Sequence, residues 1–562
     1  MTVRTRFAPS PTGSLHIGGA RTALYNYLLA KKLGGQFILR IEDTDTERNS
    51  QAALEQLLHE LHWLGLHWDE GLSLEDMTSF GPHAPYQQSQ RDEIYQGYAD
   101  QLLTSGHAYY CFADEATIEA HREQHKDKPH VHFVSPDRAL SIDDAKKRLE
   151  NGEKAVIRFK NDHQDESFEL HDLVRGEITF PGHMIGDFII LRADSRPVYN
   201  FCCAIDDCTM QITHVLRGEE HLPNTLRQLM IIDALGLSRP QYGHLSLILG
   251  EGNKKLSKRE GAASVSDFQQ QGFTPEGLIN YLALLGWSDP EGRELLSLKE
   301  LEQAFSTERL HAAAPHFDLQ KLRWVNHKQL QSFSPDQLLK ACLPFLKSAN
   351  LVPKQGLAWL EQTLPLFQED LHTLDDCCAI FAKLCDHSAL LTESAKEVLA
   401  WEHVQAILND WLSSLLESLS DVDITLNNPD SVSTYLKHFD GKTTTYVELI
   451  HYLLEAVSKD SHAEKMLPNT LYQLLDKVTA GGSDALKGQL AGYLSPEAYA
   501  GIAKTLQDKH GVKGKQLFMP LRVAILGNNQ GMDLKLACSL IPVGSLIKRA
   551  LYALIVQHRQ KA

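Results

Sequence analysis

The chain has 562 residues, 43% of them apolar, and a formal net charge of −17. That acidity excludes indiscriminate nucleic-acid binding, which needs an excess of Lys and Arg, while a basic face on a large protein stays compatible with RNA. No apolar run approaches the ~20 residues of a membrane span, the N-terminus lacks an apolar signal core, and nine cysteines without a regular framework read as reduced thiols, so a cytoplasmic protein of about four domains is expected.

Residues 3–7 alternate as a short strand, Pro9, Pro11 and Gly13 break it, and residues 20–32 carry apolar side chains at helical spacing. Gly34-Gly35 closes that helix. Residues 36–41 form an apolar run suited to a buried parallel strand that ends on Glu42-Asp43-Thr44-Asp45. A βαβ unit of this kind predicts a Rossmann-like doubly wound parallel sheet, with ligands at the carboxyl ends of its strands. The turn His16-Ile17-Gly18-Gly19 reads as a phosphate cradle: a helix N-terminus offers unpaired amides and partial positive charge, Gly18 and Gly19 admit a phosphate to the backbone, and His16 adds a donor. The absence of G-x-G-x-x-G argues against a nicotinamide or flavin site.

Leucines 54, 57, 58, 61 and 64 have the spacing of an amphipathic helix, and residues 89–106 give another. From about Tyr109 the chain turns polar and histidine-rich, with strand-like runs such as 155–160, an α+β insertion over about 96–189. The run 188–191 is expected to resume the parallel sheet, followed by a helix over 202–211, a strand ending near Arg217-Gly218-Glu219-Glu220, and a last strand over 245–249. That strand leads into Lys255-Leu256-Ser257-Lys258-Arg259, a cationic loop of the kind that places positive charge on phosphate oxygens in a transition state. Beyond Pro275 the pattern is almost wholly helical, with breaks at Asn427-Asn428-Pro429-Asp430 and Gly481-Gly482, and the acidic 400–490 region reads as a solvated insertion.

The first-half Pro-x-Pro-x-Gly-x-x-His-Ile-Gly turn and the second-half Lys-Leu-Ser-Lys-Arg loop together resemble the paired motifs of class I aminoacyl-tRNA synthetases. Residues 6–13, 39–45, 216–221 and 284–287 narrow the resemblance to bacterial-type glutamyl-tRNA synthetases, over about 3–330 and again at 514–522. The resemblance implies a catalytic domain over 1–95 and 190–250, an acceptor-end-binding insertion over 96–189, a stem-contact region over 251–330, and all-α anticodon-binding domains over 331–562. It implies a two-step reaction, in which ATP and L-glutamate give glutamyl-adenylate and a ribose hydroxyl of the terminal adenosine of tRNA(Glu) then takes the glutamyl group. No general base is assigned, since a carboxylate nucleophile is already ionised.

By the same resemblance, Arg6, Ala8, Ser10, Glu42, Tyr199, Cys203 and Arg217 line the amino-acid site. His16, Gly18, Gly19, Glu220, Ile248, Lys255, Ser257, Lys258 and Arg259 serve ATP, with His16 and Lys258 catalytic. Glutamate calls for a forked cation and a fixed anion, and the motifs leave open which arginine takes which carboxylate. Magnesium is expected to arrive with ATP, and no resident metal is expected. Some relatives hold zinc in the insertion. Here Cys111 is accompanied only by His121, His125, His130 and His132, and Ala113 stands where a C-x-C partner is needed, short of the paired ligands of a structural zinc site. Trp324, Arg323 and Arg522 are candidates for stacking on tRNA bases. A monomer is expected. The rival functions are an enzyme that also glutamylates tRNA(Gln), and an inactive RNA-binding paralogue, against which the intact His16 turn and Lys258 loop argue.

Overall fold

The computed structural model describes residues 2–44, 49–127, 131–250, 252, 254, 256, 264–353, 356–385, 391–419, 423–425, 443–446, 448–452, 475–476, 484–529 and 532–561. Two compact units divide the chain, one of residues 1–334 with 367–374, the other of 335–366 with 375–562.

The first unit begins with strand β1 (Arg4–Phe7), helix α1 (Ile17–Lys32), β2 (Gln36–Leu39), α2 (Gln51–Trp63) and a short pairing of β3 (Gly71–Leu72) with β4 (Ser79–Phe80). It continues with α3 (Asp92–Thr104), β5 (Ala108–Cys111), α4 (Glu115–Gln124), α5 (Ile142–Glu150), β6 (Val156–Phe159), β7 (Ser167–Asp172), β8 (Gly176–Pro181) and β9 (Phe188–Leu191). Then come α6 (Tyr199–Thr209), β10 (His214–Gly218), α7 (Leu222–Ala234), β11 (Gln241–Leu245), α8 (Val265–Gln270), α9 (Pro275–Leu284), α10 (Leu298–Ala304) and α11 (Leu319–Gln331).

The main sheet has the order β2-β1-β10-β11-β7-β8. β1 pairs in parallel with β2 from Arg4↔Gln36 to Phe7↔Leu39, and β10 with β11 from His214↔Gln241 to Gly218↔Leu245. The chain leaves β1 for β2 on one side and returns to β10 on the other, which puts the switch of strand order, and hence the ligand crevice of an open α/β sheet, at the carboxyl ends of β1 and β10. α1 lies against β1, β2, β10, α9 and α10, and is accordingly apolar on most of its surface, with Ile17, Ala20, Leu24, Leu28 and Ala30 fully buried.

β1 is buried along its whole length although Arg4, Thr5 and Arg6 are polar, so each needs a partner. Arg4 forms a forked pair with the Glu70 carboxylate at 2.6 and 2.9 Å, and the Thr5 hydroxyl donates to the Asn26 carbonyl at 2.7 Å. Arg6 turns to α6, described below.

Three sequence expectations are corrected. The run at β9 does not resume the main sheet; it pairs antiparallel with β6, which pairs with β5, in a separate three-stranded sheet. In its place the β7–β8 hairpin joins the main sheet through Tyr242↔Asp172. A four-residue apolar run fits any buried strand, so its composition does not choose the sheet. The last strand lies at Gln241–Leu245 rather than 245–249, hidden because His244 and Gly243 interrupt its apolar pattern. The main sheet is therefore mixed, with β8 as an antiparallel edge.

In the second unit, the helices Val404–Glu417, Lys515–Leu526 and Val543–Lys561 pack together around fully buried Trp411, Leu415, Leu521 and Leu551. Asp423–Thr425 pairs antiparallel with Thr443–Thr445, a small departure from an all-helical half. Trp324 of α11 is 39% exposed, and Arg522 donates to the Met532 carbonyl at 2.6 Å. No helix among the described residues is long and apolar enough to cross a membrane.

Gly35 sits where α1 hands over to β2, and a Cβ there would lie 2.2 Å from the Val3 carbonyl oxygen, the acceptor of the Gln36 N–H at 2.8 Å. Gly35→Ala is expected to force β1 and β2 apart and to cost roughly 1–3 kcal/mol, read as a lower denaturant midpoint. An unchanged midpoint would contradict this packing.

Candidate active site

A cleft of about 180 Å³ opens at the carboxyl ends of β1 and β10 and is lined by Arg6, Phe7, Ala8, Gly18, Gly19, Thr22, Glu42, Tyr199, Arg217, Gly218, Glu220 and His221. A neighbouring one of about 260 Å³ is lined by His16, Gly18, Gly19, Arg21, Thr22, Gly218, Glu220, Ser246, Leu247 and Ile248. Gly18, Gly19, Thr22, Gly218 and Glu220 border both, so the two are compartments of one crevice divided by the first turn of α1 and the end of β10.

The wall of the first compartment is an ion network. Arg6 faces the Asp207 carboxylate at 3.2 and 3.5 Å, Arg40 donates to Asp207 at 2.7 Å, and Arg40 also reaches Glu42 at 3.2 Å. Asp207 stands two helical turns beyond Tyr199, with Cys203 between them on the same face of α6. Burial pushes the Asp207 carboxyl up, but the Arg6 and Arg40 guanidiniums outweigh it and hold it at about 2. Glu42 goes the other way: burial raises it against the pull of Arg40 and Arg6. Behind this layer Asp206 is satisfied by Arg91 at 2.8 Å, Tyr95 at 2.8 Å and Gln88 at 2.9 Å.

Arg217 is built differently. Its Nε donates to His244 Nε2 at 3.1 Å, one Nη to Gln228 Oε1 at 2.8 Å and the other to Thr225 Oγ1 at 2.8 Å, with the Tyr242 ring 5.1 Å away. Among the described residues it has no carboxylate partner although it is only 4% exposed. Three of the five guanidinium N–H donors are thus used on neutral acceptors, leaving two and a full positive charge for the cleft. Beside it, burial and then the Arg217 charge push His221 down to about 4, so the imidazole is neutral at physiological pH, and its Nδ1 lies 3.1 Å from the Tyr199 hydroxyl.

In the second compartment His16 caps α1. Its Nδ1 accepts the Gly18 N–H at 3.1 Å, which places the proton of the neutral ring on Nε2. Arg21 donates to the Leu285 carbonyl at 3.0 Å and to the Ser246 carbonyl, joining α1 to the segment after β11. A Cβ at Gly218 would lie 2.2 Å from a Glu220 carboxylate oxygen, so a side chain there would displace the Glu220 carboxylate.

The crevice thus collects Arg6, Ala8, Glu42, Tyr199 and Arg217 in one compartment and His16, Gly18, Gly19, Glu220 and Ile248 in the other. Ser10 is exposed on the turn and lines neither, and Cys203 is fully buried beneath the wall, its thiol 3.6 Å from Arg40 and 3.7 Å from Asp207. Lys255, Ser257, Lys258, Arg259 and His130 lie outside the described residues. The reading from sequence did not find Thr22, Arg40, Asp207, His221 or His244. An acid on the inward face of an otherwise apolar helix, as at Asp207, is the signal that a buried cation waits opposite. In the insertion, the His121 and His125 rings lie 4.3 Å apart and Cys111 is buried in β5; among the described residues no three metal-ligating side chains come together.

Residues 2–324 match the family described as "tRNA synthetases class I (E and Q), catalytic domain", and residues 447–553 match "Anticodon binding domain". The chain is 40% identical over 552 residues to a glutamate–tRNA ligase of Bdellovibrio bacteriovorus, covering 98% of each, and 37% identical over 557 residues to glutamate–tRNA ligase 1 of Caldicellulosiruptor saccharolyticus, again 98% of each. It superposes on a crystal structure of a glutamate tRNA ligase from Elizabethkingia meningosepticum in complex with its amino acid with a TM-score of 0.74, at 28% identity and 99% coverage of both chains. A mixed parallel sheet with its crevice at the strand switch, a His-Ile-Gly-Gly helix cap, and full-length similarity of this kind have one explanation: the chain belongs to the glutamate–tRNA ligases of the class I aminoacyl-tRNA synthetase family.

Proposed function

We propose that the protein ligates L-glutamate to tRNA(Glu), with the Arg217 compartment holding glutamate and the His16 compartment holding ATP. The observation that carries this reading is the asymmetry of the first compartment: among the described residues Arg217 meets only neutral groups, while Glu42, held by Arg40, lines the same compartment. A buried cation without a counter-ion among the described residues and a fixed anion in the same compartment suit a ligand with a carboxylate at one end and an ammonium at the other. Arg6 is already engaged by Asp207, so on this reading Arg217 takes the side-chain carboxylate, Arg6 offers its outward edge to the second, and Tyr199 adds a hydroxyl donor.

ATP then occupies the neighbouring compartment with its adenosine toward Ile248 and its phosphates over Gly18 and Gly19, where the α1 N-terminus and the His16 Nε2–H supply positive potential. Magnesium enters as part of the nucleotide. The α-carboxylate of glutamate attacks the α-phosphorus, the bond to the bridging oxygen breaks, and pyrophosphate leaves with both electrons. The 2′- or 3′-hydroxyl of the terminal adenosine then attacks the glutamyl carbonyl, the bond to the AMP oxygen breaks, and AMP departs with that electron pair, its phosphate taking up the hydroxyl proton. Alignment and charge stabilisation account for the first step without a base. Lys255, Ser257, Lys258 and Arg259 are assigned to the phosphates, the Lys258 ammonium acting where the leaving group gains charge. Cys203 supports the wall without touching the ligand. Residues 447–553, which match an anticodon-binding domain, are assigned the reading of tRNA identity.

Aminoacylation assayed with glutamate and glutamine, against purified tRNA(Glu) and tRNA(Gln), tests the whole. Glutamate with tRNA(Glu) alone is the expected pair; glutamate on both tRNAs would make the enzyme non-discriminating, and no product on either would end the enzymatic reading. Arg217→Ala is expected to raise KM for glutamate at least about 30-fold, as when one member of a buried charge pair is lost, while KM for ATP stays within roughly twofold. Equal losses for both substrates would remove Arg217 from the glutamate site. Lys258→Ala should slow adenylate formation by about 10² to 10³ with little change in KM for glutamate; a dominant effect on glutamate KM would give the loop a different job.

A further inference from the structure

Behind Arg217 stands a buried pair that the glutamate site does not touch. Asp172 at the end of β7 and His244 in β11 are 2% and 0% exposed. Asp172 Oδ2 lies 2.5 Å from His244 Nδ1, and Oδ1 accepts three backbone N–H groups, those of Val174 and Arg175 at 3.0 Å and of His244 at 3.2 Å. A carboxylate so fixed requires a hydrogen on Nδ1. The imidazole then carries its lone pair on Nε2, which is where the Arg217 Nε–H arrives, with Thr225 Oγ1 also at 3.1 Å.

We infer that Asp172 and His244 form a positioning relay: the carboxylate sets the imidazole tautomer, and the tautomer sets the orientation in which Arg217 meets the substrate carboxylate. The inference rests on the reading that Arg217 binds glutamate. Its physical sense is in the contrast with Arg6. A carboxylate placed directly on a guanidinium, as Asp207 is on Arg6, uses up donors and charge. An interposed neutral imidazole fixes the guanidinium plane equally well and leaves its charge for the ligand. Burial lowers the basicity of His244 against the pull of Asp172, consistent with a neutral ring.

The test uses the asymmetry of the carboxylate. In Asp172→Asn the three backbone N–H groups can be met only by the amide oxygen, so the amide nitrogen turns to His244 Nδ1 as a donor. The ring proton must then move to Nε2, where it faces the Arg217 Nε–H. The variant is isosteric, and the expected result is a rise in KM for glutamate of roughly 10- to 100-fold in aminoacylation, the cost of one buried donor left against another, with KM for ATP within about twofold.

The ring state is read independently from nitrogen-15 spectra of histidine-labelled full-length enzyme, with the His244 signals identified by their loss in His244→Gln. The wild type is expected to show the Nδ1–H form and Asp172→Asn the Nε2–H form. A wild-type His244 protonated on Nε2 alone would overturn the relay even if the variant did not accumulate as folded protein. So would a switched tautomer with an unchanged KM for glutamate. Arg217→Ala, run in parallel, separates the two levels: if it leaves glutamate KM unchanged, the assignment of Arg217 to glutamate fails and the relay's role with it; if it raises KM while Asp172→Asn does not, the relay alone fails.

Discussion

The Asp207 carboxylate, shared by Arg6 and Arg40, is the interaction on which the crevice depends. It joins β1, the end of β2 and α6, three elements far apart in sequence, at one buried point. Charges out of water are costly unless paired, and loss of one partner of such a group strands the others at a cost of about 3–5 kcal/mol. The network is therefore weak evidence for extra stability and strong evidence for a required geometry: an apolar cluster at the same place could hold the elements together, but it could not hold Arg6 and Glu42 side by side on one wall of a cleft. That Glu42 is pushed up by burial while Asp207 is held down by two guanidiniums shows how unevenly one network distributes its electrostatics.

Topology does the rest. Strand order reverses between β1 and β10, so the loops after these strands diverge and leave a gap that the first turn of α1 fills on one side only. The gap becomes two compartments with a common border at Gly18, Gly19, Thr22, Gly218 and Glu220. On the proposed assignment an acyl donor in one and a nucleotide in the other would meet across that border, where proximity converts a bimolecular attack into an internal one. His16 contributes by being a cap: with Nδ1 engaged by the Gly18 N–H, its remaining nitrogen can only donate, which is the polarity an anion needs.

Much of this was legible in the chain because the site residues sit at the ends of local elements. Arg6, Glu42, Arg217, His16, Gly18 and Gly19 all fall where a strand or helix signal stops, and a stop in an α/β sheet points to the crevice. Asp207, Asp172 and His244 were not legible, since the meaning of each lies in a partner 27 to 201 residues away. The sheet to which Phe188–Leu191 belongs was misassigned for the same reason, because four apolar residues state that a strand is buried but not beside which strand. Ser10 and Cys203 mark the converse limit. Both lie in matching motifs, yet one is exposed and the other is buried in the wall, so membership of a motif does not fix where a side chain stands relative to the cleft.

The contrast between Arg6 and Arg217 also bears on how a glutamate site rejects glutamine, a ligand of nearly the same shape. An arginine already neutralised by a carboxylate contacts an amide or a carboxylate at similar cost. One surrounded by His244, Gln228, Thr225 and the Tyr242 ring, taking the side-chain carboxylate as proposed, does not, because an amide would leave its buried charge uncompensated. Selectivity of this kind comes from the penalty on the wrong ligand more than from extra contacts to the right one. It requires that the cradle stay neutral, and the neighbouring His221, held uncharged by burial and by Arg217 itself, and the Tyr199 hydroxyl keep it so. A cation kept among neutral groups is a standing cost in stability, offset in part by the Asp172 charge one imidazole away, and on the proposed assignment that cost is what would make the arrangement selective rather than merely attractive to anions.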